Sequence, residues 1–320
     1  MTGRDTAEWY TTYASAEAHG QSAIYEQWAL GVASDAPMRA LIERMPLQKR
    51  QPALVFAVSR LLGAPEGAYE PFRDWFVAHA DGVAAEAAHR MVQTNEPRRC
   101  ASLLPALALI PGPLALLEVG ASAGLCLYPD RYGYRWNDDR LDPVDGASPV
   151  LLESTVTGPF PVPSRVPEVV WRAGNDLAPL DVTDAGDIRW LEANVPPEQH
   201  ERRSRVRAAA VIAAADPPRL VAGDARASLA ALAAEAPMDA TLVVITSGVL
   251  VYLPAAERAL FAEEVRALGC RWLSLEGRAA LPVVEAALPA GSGAAGRFVL
   301  ALDEHPLAFT GPHGQNLDWF

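Results

Sequence analysis

The chain has 320 residues, with 27 basic and 39 acidic side chains and a formal net charge of −12. This negative charge disfavours a nucleic-acid partner, because the phosphate backbone would be repelled. Half of the residues are hydrophobic, which is enough to bury a large core in one domain, or in one domain with an appendage. We expect a globular protein that binds a small molecule or another protein; the composition does not predict an oligomeric state.

The cysteines and the N-terminal segment bear on the cellular compartment. Cys100, Cys126 and Cys270 are odd in number and lack the paired spacing of metal sites, so we expect buried thiols and no bound metal. The N-terminus has no apolar core behind a basic start, and no stretch reaches about 18 uninterrupted apolar residues. These features predict a cytoplasmic protein without a membrane partner.

Helical periodicity dominates residues 1–110, which we interpret as a helical N-terminal region. The predicted helices cover residues 7–31, 37–45, 52–62 and 72–94. A polar cluster at residues 93–100 then precedes another apolar helix. Its Arg99 either belongs to a solvated helix junction or meets a ligand carboxylate through a bidentate pair.

The apolar run Leu114–Gly124 ends in small residues, which predicts a buried strand that turns tightly into a helix N-terminus. Small residues let a ligand approach the backbone, and helix N–H groups can meet its polar atoms. Glu118 at the strand end can accept a bond from a cationic or hydroxyl group. The stretch therefore predicts a site for a nucleotide-like ligand. Taken alone, such a loop also suits a nicotinamide or flavin cofactor.

Strands and helices alternate after this loop, which predicts a parallel sheet covered by helices on both faces. The predicted strands cover residues 151–156, 169–171, 219–224, 240–247 and 270–276, and a closing hairpin joins 297–302 to 305–319. The predicted helices cover residues 184–194, 198–215, 228–236 and 254–268. In such sheets ligands bind outside the carboxyl ends of the strands, where the strand order reverses.

The glycine loop after an acid-terminated strand, with further acids at later strand ends, resembles the class I S-adenosylmethionine (SAM) dependent methyltransferases over residues 114–320. The resemblance implies an α/β fold with a doubly wound, mostly parallel, seven-stranded sheet. It implies that SAM contacts a set of strand-end residues, namely Glu118, Gly120, Ala121, Ser122, Gly124, Asp176, Asp224, Ala225, Thr246 and Ser247, with Arg99 as a further contact. Within this set, Asp176 would bind the ribose hydroxyls, and Asp224 with Ala225 would lie beside the adenine.

The interval between the glycine loop and Asp176 is far longer than the roughly twenty residues usual in dinucleotide-binding sheets. Either residues 125–167 form an insertion, or Asp176 is the wrong acid. The insertion is rich in aromatic and polar residues, and we predict substrate contacts from Tyr128, Tyr132, Trp136 and Asn137. Packing of these side chains in a core is an equally good explanation.

A second resemblance covers nearly the whole chain. The segments QTNEPRRC, LLEVGASAGL, DRYGYRW, WRAGNDLAPLDV and VAGDA together resemble a family of uncharacterised proteins defined by a domain of unknown function. This resemblance implies that the motifs belong together, and it implies no activity.

The predicted function is the transfer of a methyl group from SAM to an unidentified small molecule. Methyl transfer needs an aligned nucleophile and, for some substrates, a base. Tyr252 and His313 are the candidate bases, and neither has a motif that supports it. Two alternatives stay open: an enzyme that uses SAM differently, for example by displacement within its aminobutyryl chain, and a non-catalytic binding module.

Overall fold

The computed structural model describes residues 5–289 and 296–320. Its α-helices are α1 (Thr6–Tyr13), α2 (Ala23–Ser34), α3 (Ala36–Ile42), α4 (Pro52–Leu61), α5 (Tyr69–His89), α6 (Cys100–Leu107), α7 (Ala185–Ala193), α8 (His200–Ala215), α9 (Ala225–Ala233), α10 (Ala255–Ala267) and α11 (Pro282–Ala286). Its strands are β1 (Leu114–Val119), β2 (Gly133–Trp136), β3 (Asp139–Leu141), β4 (Leu151–Thr157), β5 (Val169–Asp176), β6 (Arg219–Ala222), β7 (Thr241–Ser247), β8 (Arg271–Gly277), β9 (Phe298–Leu302), β10 (His305–Thr310) and β11 (Asn316–Trp319). None of these helices is long and apolar enough to cross a membrane.

The chain forms two units. The first unit comprises residues 1–94 and 183–207, and the second unit comprises residues 95–182 and 208–320. Helix α6, which the sequence analysis includes in the helical region, therefore lies in the second unit.

Aromatic rings fill the core of the first unit. Trp28 stacks on Phe72 with the ring centroids 3.9 Å apart, and Phe56 meets both rings edge-on. All three side chains are completely buried. Stacked and edge-on pairs of this kind add to the stability that burial of the ring area provides.

The helix predicted over residues 7–31 is interrupted. Helix α1 continues into a π-helical segment, Ala14–Ala18, and the chain then turns at Gly20, whose φ is +70°. Ser22 begins α2, because its hydroxyl accepts a hydrogen bond from the N–H of Tyr25 at 3.0 Å. A glycine just past one helix and a serine cap before the next are therefore the local causes of the break.

Among the described residues, the second unit is built on a mixed, largely parallel sheet of eleven strands, so the predicted number of seven is wrong. The strand order is β3-β2-β4-β11-β10-β9-β8-β7-β1-β5-β6. Residues 125–167, predicted as an insertion, contribute β2, β3 and β4 to one edge of this sheet. Strand β4 pairs in parallel with β11, more than 150 residues further along the chain, a pairing that no local sequence pattern predicts.

Five neighbouring strands at the other edge, β8-β7-β1-β5-β6, pair in parallel. Numbered along the chain, their order is 5-4-1-2-3, which is the order of a doubly wound sheet, and it reverses between β1 and β7. All six residues of β1 are buried, as expected for a central parallel strand covered on both faces.

The two faces of β1 meet different surroundings. Leu117 and Val119 belong to a hydrophobic cluster that includes residues of α9, α10 and α11. Because side chains alternate along a strand, Glu118 points to the opposite face. The acid of the predicted binding motif thus lies apart from this cluster.

Candidate functional site

The carboxyl ends of β1, β5 and β7 lie side by side at the reversal of strand order. Glu118 pairs with Gly174 of β5 on one side and with Ile245 of β7 on the other. Polar residues follow or end each of these strands, as the sequence analysis predicts. This edge is the place where an open α/β sheet holds a ligand.

The glycine loop after β1 has the backbone conformation that its sequence suggests. Gly120, Ser122 and Gly124 all have positive φ, of 73°, 54° and 72°. Ser122 therefore occupies a left-handed conformation that normally favours glycine, at the position where it replaces the middle glycine. A Cβ at Gly120 would lie 2.5 Å from Cγ2 of Val249, so only glycine fits there.

The loop does not lead into a long helix, and the predicted helix N-terminus is wrong. The residues after Gly124 form one 3-10 turn, Leu125–Leu127, and β2 follows. The N–H of Leu125 donates to Oδ1 of Asn95 at 2.9 Å, which holds the start of this turn. A short turn presents few parallel N–H groups, so this loop is a weak site for a phosphate.

Asp176 shapes the glycine loop. Its Oδ2 accepts a hydrogen bond from the N–H of Ser122 at 2.9 Å, and its Oδ1 accepts from the N–H of Ala178 at 2.9 Å. The acid thus stands beside the loop despite the long interval between them in the sequence. Its predicted contact with a ribose stays a prediction.

Glu118 is a buried acid at the end of the central strand. It is 2% exposed, and within the described part of the chain its Oε2 has no hydrogen-bond partner. Burial raises the pKa of Glu118 well above its ordinary value, and the nearby Cys126 and Asp176 raise it further, whereas Arg99 lowers it. A buried oxygen without a donor is costly in a fold, which marks it as a position where a donor can bind.

Three further buried polar atoms lie at the same strand ends. They are Oγ of Ser122, Oδ1 of Asn175 and Oγ of Ser247, and none has a hydrogen-bond partner among the described residues. Asn175 pairs with Val119 across the sheet, and its amide group donates to the backbone oxygens of Asp224 and Ala225 at 3.2 and 3.1 Å. Asn175 is not among the predicted site residues; the sequence signal that points to it is a polar residue directly before the strand-end acid.

The surroundings of Arg99 favour a structural role over a ligand carboxylate. Its Nη1 donates to the backbone oxygen of Ser247 at 2.7 Å, and its Nε donates to the backbone oxygen of Pro312 at 2.9 Å. The residue is 8% exposed, and its guanidinium joins the end of β7 to the loop between β10 and β11. Its predicted contact with SAM stays a prediction.

Glu276 is a second buried acid, and it is not among the predicted site residues. It is the penultimate residue of β8, is 3% exposed, and accepts hydrogen bonds from the N–H groups of Val249 and Leu250, both at 3.2 Å. Burial raises the pKa of Glu276 to about 7, although those backbone donors and Arg99 oppose the rise. Its signal in the sequence is the one that Glu118 shows, an acid at the end of an apolar run.

Asp224 and Thr246 are engaged within the fold. Asp224 caps helix α9, since its Oδ1 accepts from the N–H of Arg226 at 3.0 Å. Thr246 is completely buried, and its hydroxyl accepts from the indole N–H of Trp272 at 3.3 Å. Both residues lie at predicted strand ends, and their contact with a ligand stays a prediction.

The four predicted substrate residues have hydrogen bonds inside the second unit. Tyr128 donates to the backbone oxygen of Asp216 at 2.6 Å, Tyr132 to that of Leu125 at 2.7 Å, and Trp136 to that of Ala101 at 2.8 Å. The side chain of Asn137 exchanges two hydrogen bonds with the backbone of Val156. The three aromatic rings are at most 1% exposed, which favours the core interpretation of the insertion.

The two candidate bases have unlike surroundings. Tyr252 is 78% exposed in the 3-10 turn Leu250–Tyr252 that follows β7. His313 is half-buried between β10 and β11, and its backbone oxygen accepts from Nε of Arg98 at 3.1 Å. Neither arrangement identifies a base.

Two of the three cysteines are buried in the second unit, and Cys270 is half-buried. Sγ of Cys126 lies 3.5 Å from the backbone oxygen of Glu96. Within residues 5–289 and 296–320, no group of three or more His, Cys, Asp or Glu residues is arranged to hold a metal ion.

The strand order and the polar strand ends define an α/β protein with a doubly wound sheet core. The chain belongs to DUF2332, a family of uncharacterised proteins conserved in bacteria, whose model matches residues 7–319. The expected membership of an uncharacterised family is thereby confirmed. No curated protein and no solved structure matches the chain.

Proposed function

We propose that this protein binds SAM at the carboxyl ends of β1, β5 and β7 and transfers its methyl group to a small molecule. The observation that supports this most directly is Glu118, a buried acid beside the glycine loop whose Oε2 has no donor in the described structure. A ligand ammonium or hydroxyl group would satisfy this oxygen.

The loop geometry favours a nucleoside ligand without phosphates over a dinucleotide. A pyrophosphate is normally held by the N-terminus of a helix, and here a 3-10 turn follows the glycines. The carboxylate of Asp176, which holds the loop, would also repel a phosphate. SAM has no phosphate, and its sulfonium and ammonium groups are positively charged, so it suits this acidic edge better.

The remaining polar atoms offer contacts for the other parts of the ligand. Oγ of Ser122 and Oγ of Ser247 can each donate and accept, and Oδ1 of Asn175 can accept. All three flank Glu118 on the loop or on neighbouring strand ends. Such a group of unsatisfied atoms would fix the orientation of a bound nucleoside.

SAM would supply an electrophilic methyl group, and the protein would have to align the nucleophile of the second substrate with it. The sequence and the geometry assign no base, because Tyr252 is largely exposed and His313 is held in its loop through its backbone N–H and C=O groups. A reaction within the aminobutyryl chain of SAM, or ligand binding without catalysis, would use the same Glu118 site.

Isothermal titration with SAM and with its demethylated product, S-adenosylhomocysteine, tests the proposal. We expect both to bind, and we expect Glu118→Gln and Asp176→Asn each to weaken binding at least tenfold, which corresponds to about 1.4 kcal/mol. Glu118→Gln preserves the volume and removes the carboxyl group, so a loss of affinity reports on that group.

Glu235→Gln is the matched control, because Glu235 pairs with Arg219 near the surface beyond helix α9. It should leave the affinity unchanged. If neither compound binds the wild-type protein at millimolar concentration, the proposed function is wrong. If both bind but no methyl acceptor is found, the alternatives without methyl transfer are favoured.

A further inference from the structure

The backbone segment Gly248–Leu250, which follows β7, is held by side chains from other elements. Glu276 of β8 accepts from the N–H of Val249 through Oε1 and from the N–H of Leu250 through Oε2, both at 3.2 Å. Arg99 binds the backbone oxygen of the preceding residue, Ser247, at 2.7 Å. Two buried groups of opposite charge thus fix the end of this strand.

This segment forms part of the wall of the candidate site. Val249 packs closely against the glycine loop, since a Cβ at Gly120 would lie 2.5 Å from Cγ2 of Val249. Ser247, with its unsatisfied Oγ, directly precedes the segment. A shift of the Val249 backbone would therefore change the space over the glycine loop.

We propose that Glu276 is a positioning residue: its ionised carboxylate holds Gly248–Leu250 against the glycine loop, and protonation loosens the segment and weakens ligand binding. The statement about ligand binding rests on the proposed function. The statement about the segment does not.

The physical reason is the number and strength of the hydrogen bonds that Glu276 accepts. An ionised carboxylate accepts both N–H groups in charge-assisted bonds, which are about twice as strong as neutral ones. A protonated carboxyl group has one oxygen occupied by its own proton, so one of the two bonds weakens. The pKa of Glu276, raised by burial to about 7, brings this change into the neutral range.

The charged groups around Glu276 are few. Arg99 is the cation that favours its ionised form. Arg278 and Glu285 line the same small cavity of about 10 Å³ and pair with each other at 3.1 Å. Strands β7 and β9 and the segment Gly248–Leu250 carry no ionisable side chain. Glu118, whose pKa burial also raises, lies next to the glycine loop that Val249 contacts, so a titration of this segment near pH 7 is assigned to Glu276 by its absence in Glu276→Gln.

The first test follows the amide protons of Val249 and Leu250 by NMR in the ligand-free protein between about pH 5.5 and pH 8.5. We expect both amide shifts to titrate together with one midpoint near 7 in the wild-type protein and not in Glu276→Gln. Glu285→Gln, a nearby acid that does not contact the segment, should titrate as the wild type does. An absent titration in the wild type, or an equal one in Glu276→Gln, would overturn the proposal.

The second test measures the affinity for S-adenosylhomocysteine at about pH 6 and pH 8 in the same three proteins. Loss of one N–H bond predicts binding about fivefold tighter at the higher pH in the wild type and in Glu285→Gln. Glu276→Gln should lose most of this pH dependence, and an unchanged dependence would disprove the link to binding. Absence of binding in all three proteins would count against the proposed function, while the amide titration would still decide the role of Glu276.

Discussion

Ser122 combines two unfavourable features in one residue. Its φ of 54° is strained for a residue with a Cβ, and its buried Oγ has no hydrogen-bond partner within the described chain. Natural proteins retain such features mainly where function requires them. The residue therefore supports a ligand contact at the glycine loop more directly than the loop sequence does.

We predict that Ser122→Gly stabilises the protein by about 1 kcal/mol and weakens ligand binding. Glycine relieves the positive φ and removes the unsatisfied hydroxyl, although it adds entropy to the unfolded chain. The midpoint of urea unfolding and the affinity for S-adenosylhomocysteine measure the two effects. Lower stability in the variant would show that the hydroxyl has a partner in the folded protein.

Asn137→Gly is the matched control, because Asn137 has the same φ of 54°. Its side chain, in contrast, exchanges two hydrogen bonds with the backbone of Val156, at 2.9 and 3.0 Å. We expect this variant to lose about 1–2 kcal/mol of stability. The comparison separates backbone strain from side-chain bonding at two similar positions.

At the site, sequence reasoning identifies Glu118, the glycine positions and the strand ends, because each depends on local order in the chain. It does not identify Asn175 and Glu276 as site residues. Both are marked by their burial and by hydrogen-bond partners on other elements of the fold. Neither property can be read from the sequence of one segment. The aromatic and polar residues of the insertion are of the types found in binding surfaces, but in the folded protein the aromatic rings are buried in the core.

At the scale of elements, the contact between β1 and β5 depends on a small residue. A Cβ at Gly174 would lie 2.6 Å from Cβ of Ala121 and 2.8 Å from the backbone oxygen of Glu118. The backbone oxygen belongs to the central strand and cannot move without disturbing the sheet. The glycine loop and β5 can therefore approach only with glycine at this position.

We predict that Gly174→Ala destabilises the protein by about 1–3 kcal/mol and reduces ligand affinity, because the loop must move away from β5. Gly82→Ala in helix α5 is the control, since a Cβ at Gly82 would meet nothing within 4 Å. It should stabilise the protein by about 0.5–1 kcal/mol. Thermal unfolding of both variants checks the prediction, and equal midpoints would contradict it.

The strands and helices near the glycine loop follow the sequence pattern closely. Predicted strand 240–247 corresponds to Thr241–Ser247, and predicted helix 254–268 to Ala255–Ala267. The sheet as a whole does not follow the pattern, because β2, β3 and β4 join it through the pairing of β4 with β11. Local periodicity predicts that a strand exists, whereas its neighbours are chosen by packing over long distances in the chain.

At the scale of the whole molecule, the buried acids make stability depend on pH. The folded state raises the pKa of Glu276 to about 7 from an ordinary value of 4.5. The folded protein thus keeps this proton at pH values where the unfolded chain has lost it. The resulting stabilisation is complete below pH 4.5 and is lost as the pH rises through about 7.

We predict that ionisation of Glu276 lowers the free energy of unfolding by about 3 kcal/mol as the pH rises from 4.5 to 8. Glu276→Gln should remove this component, and the difference between the two proteins, measured by urea unfolding at several pH values, isolates it. Glu118 contributes with the same sign in both proteins and cancels. A difference that does not vary with pH would contradict the prediction. The ionised acid would then hold its loop segment at no cost in global stability.

The first unit is assembled from two separate stretches of chain, and this has a consequence during synthesis on the ribosome. The guanidinium of Arg60, whose side chain is 4% exposed, donates to the backbone oxygens of Ala193 and Val195. At about 5–20 residues per second, roughly 6 to 23 s separate the translation of residue 94 from that of residue 207. Until then Arg60 has Tyr25 and Glu66 as partners but not these two backbone acceptors, so the first unit completes its fold only after strands β1 to β5 have also been made.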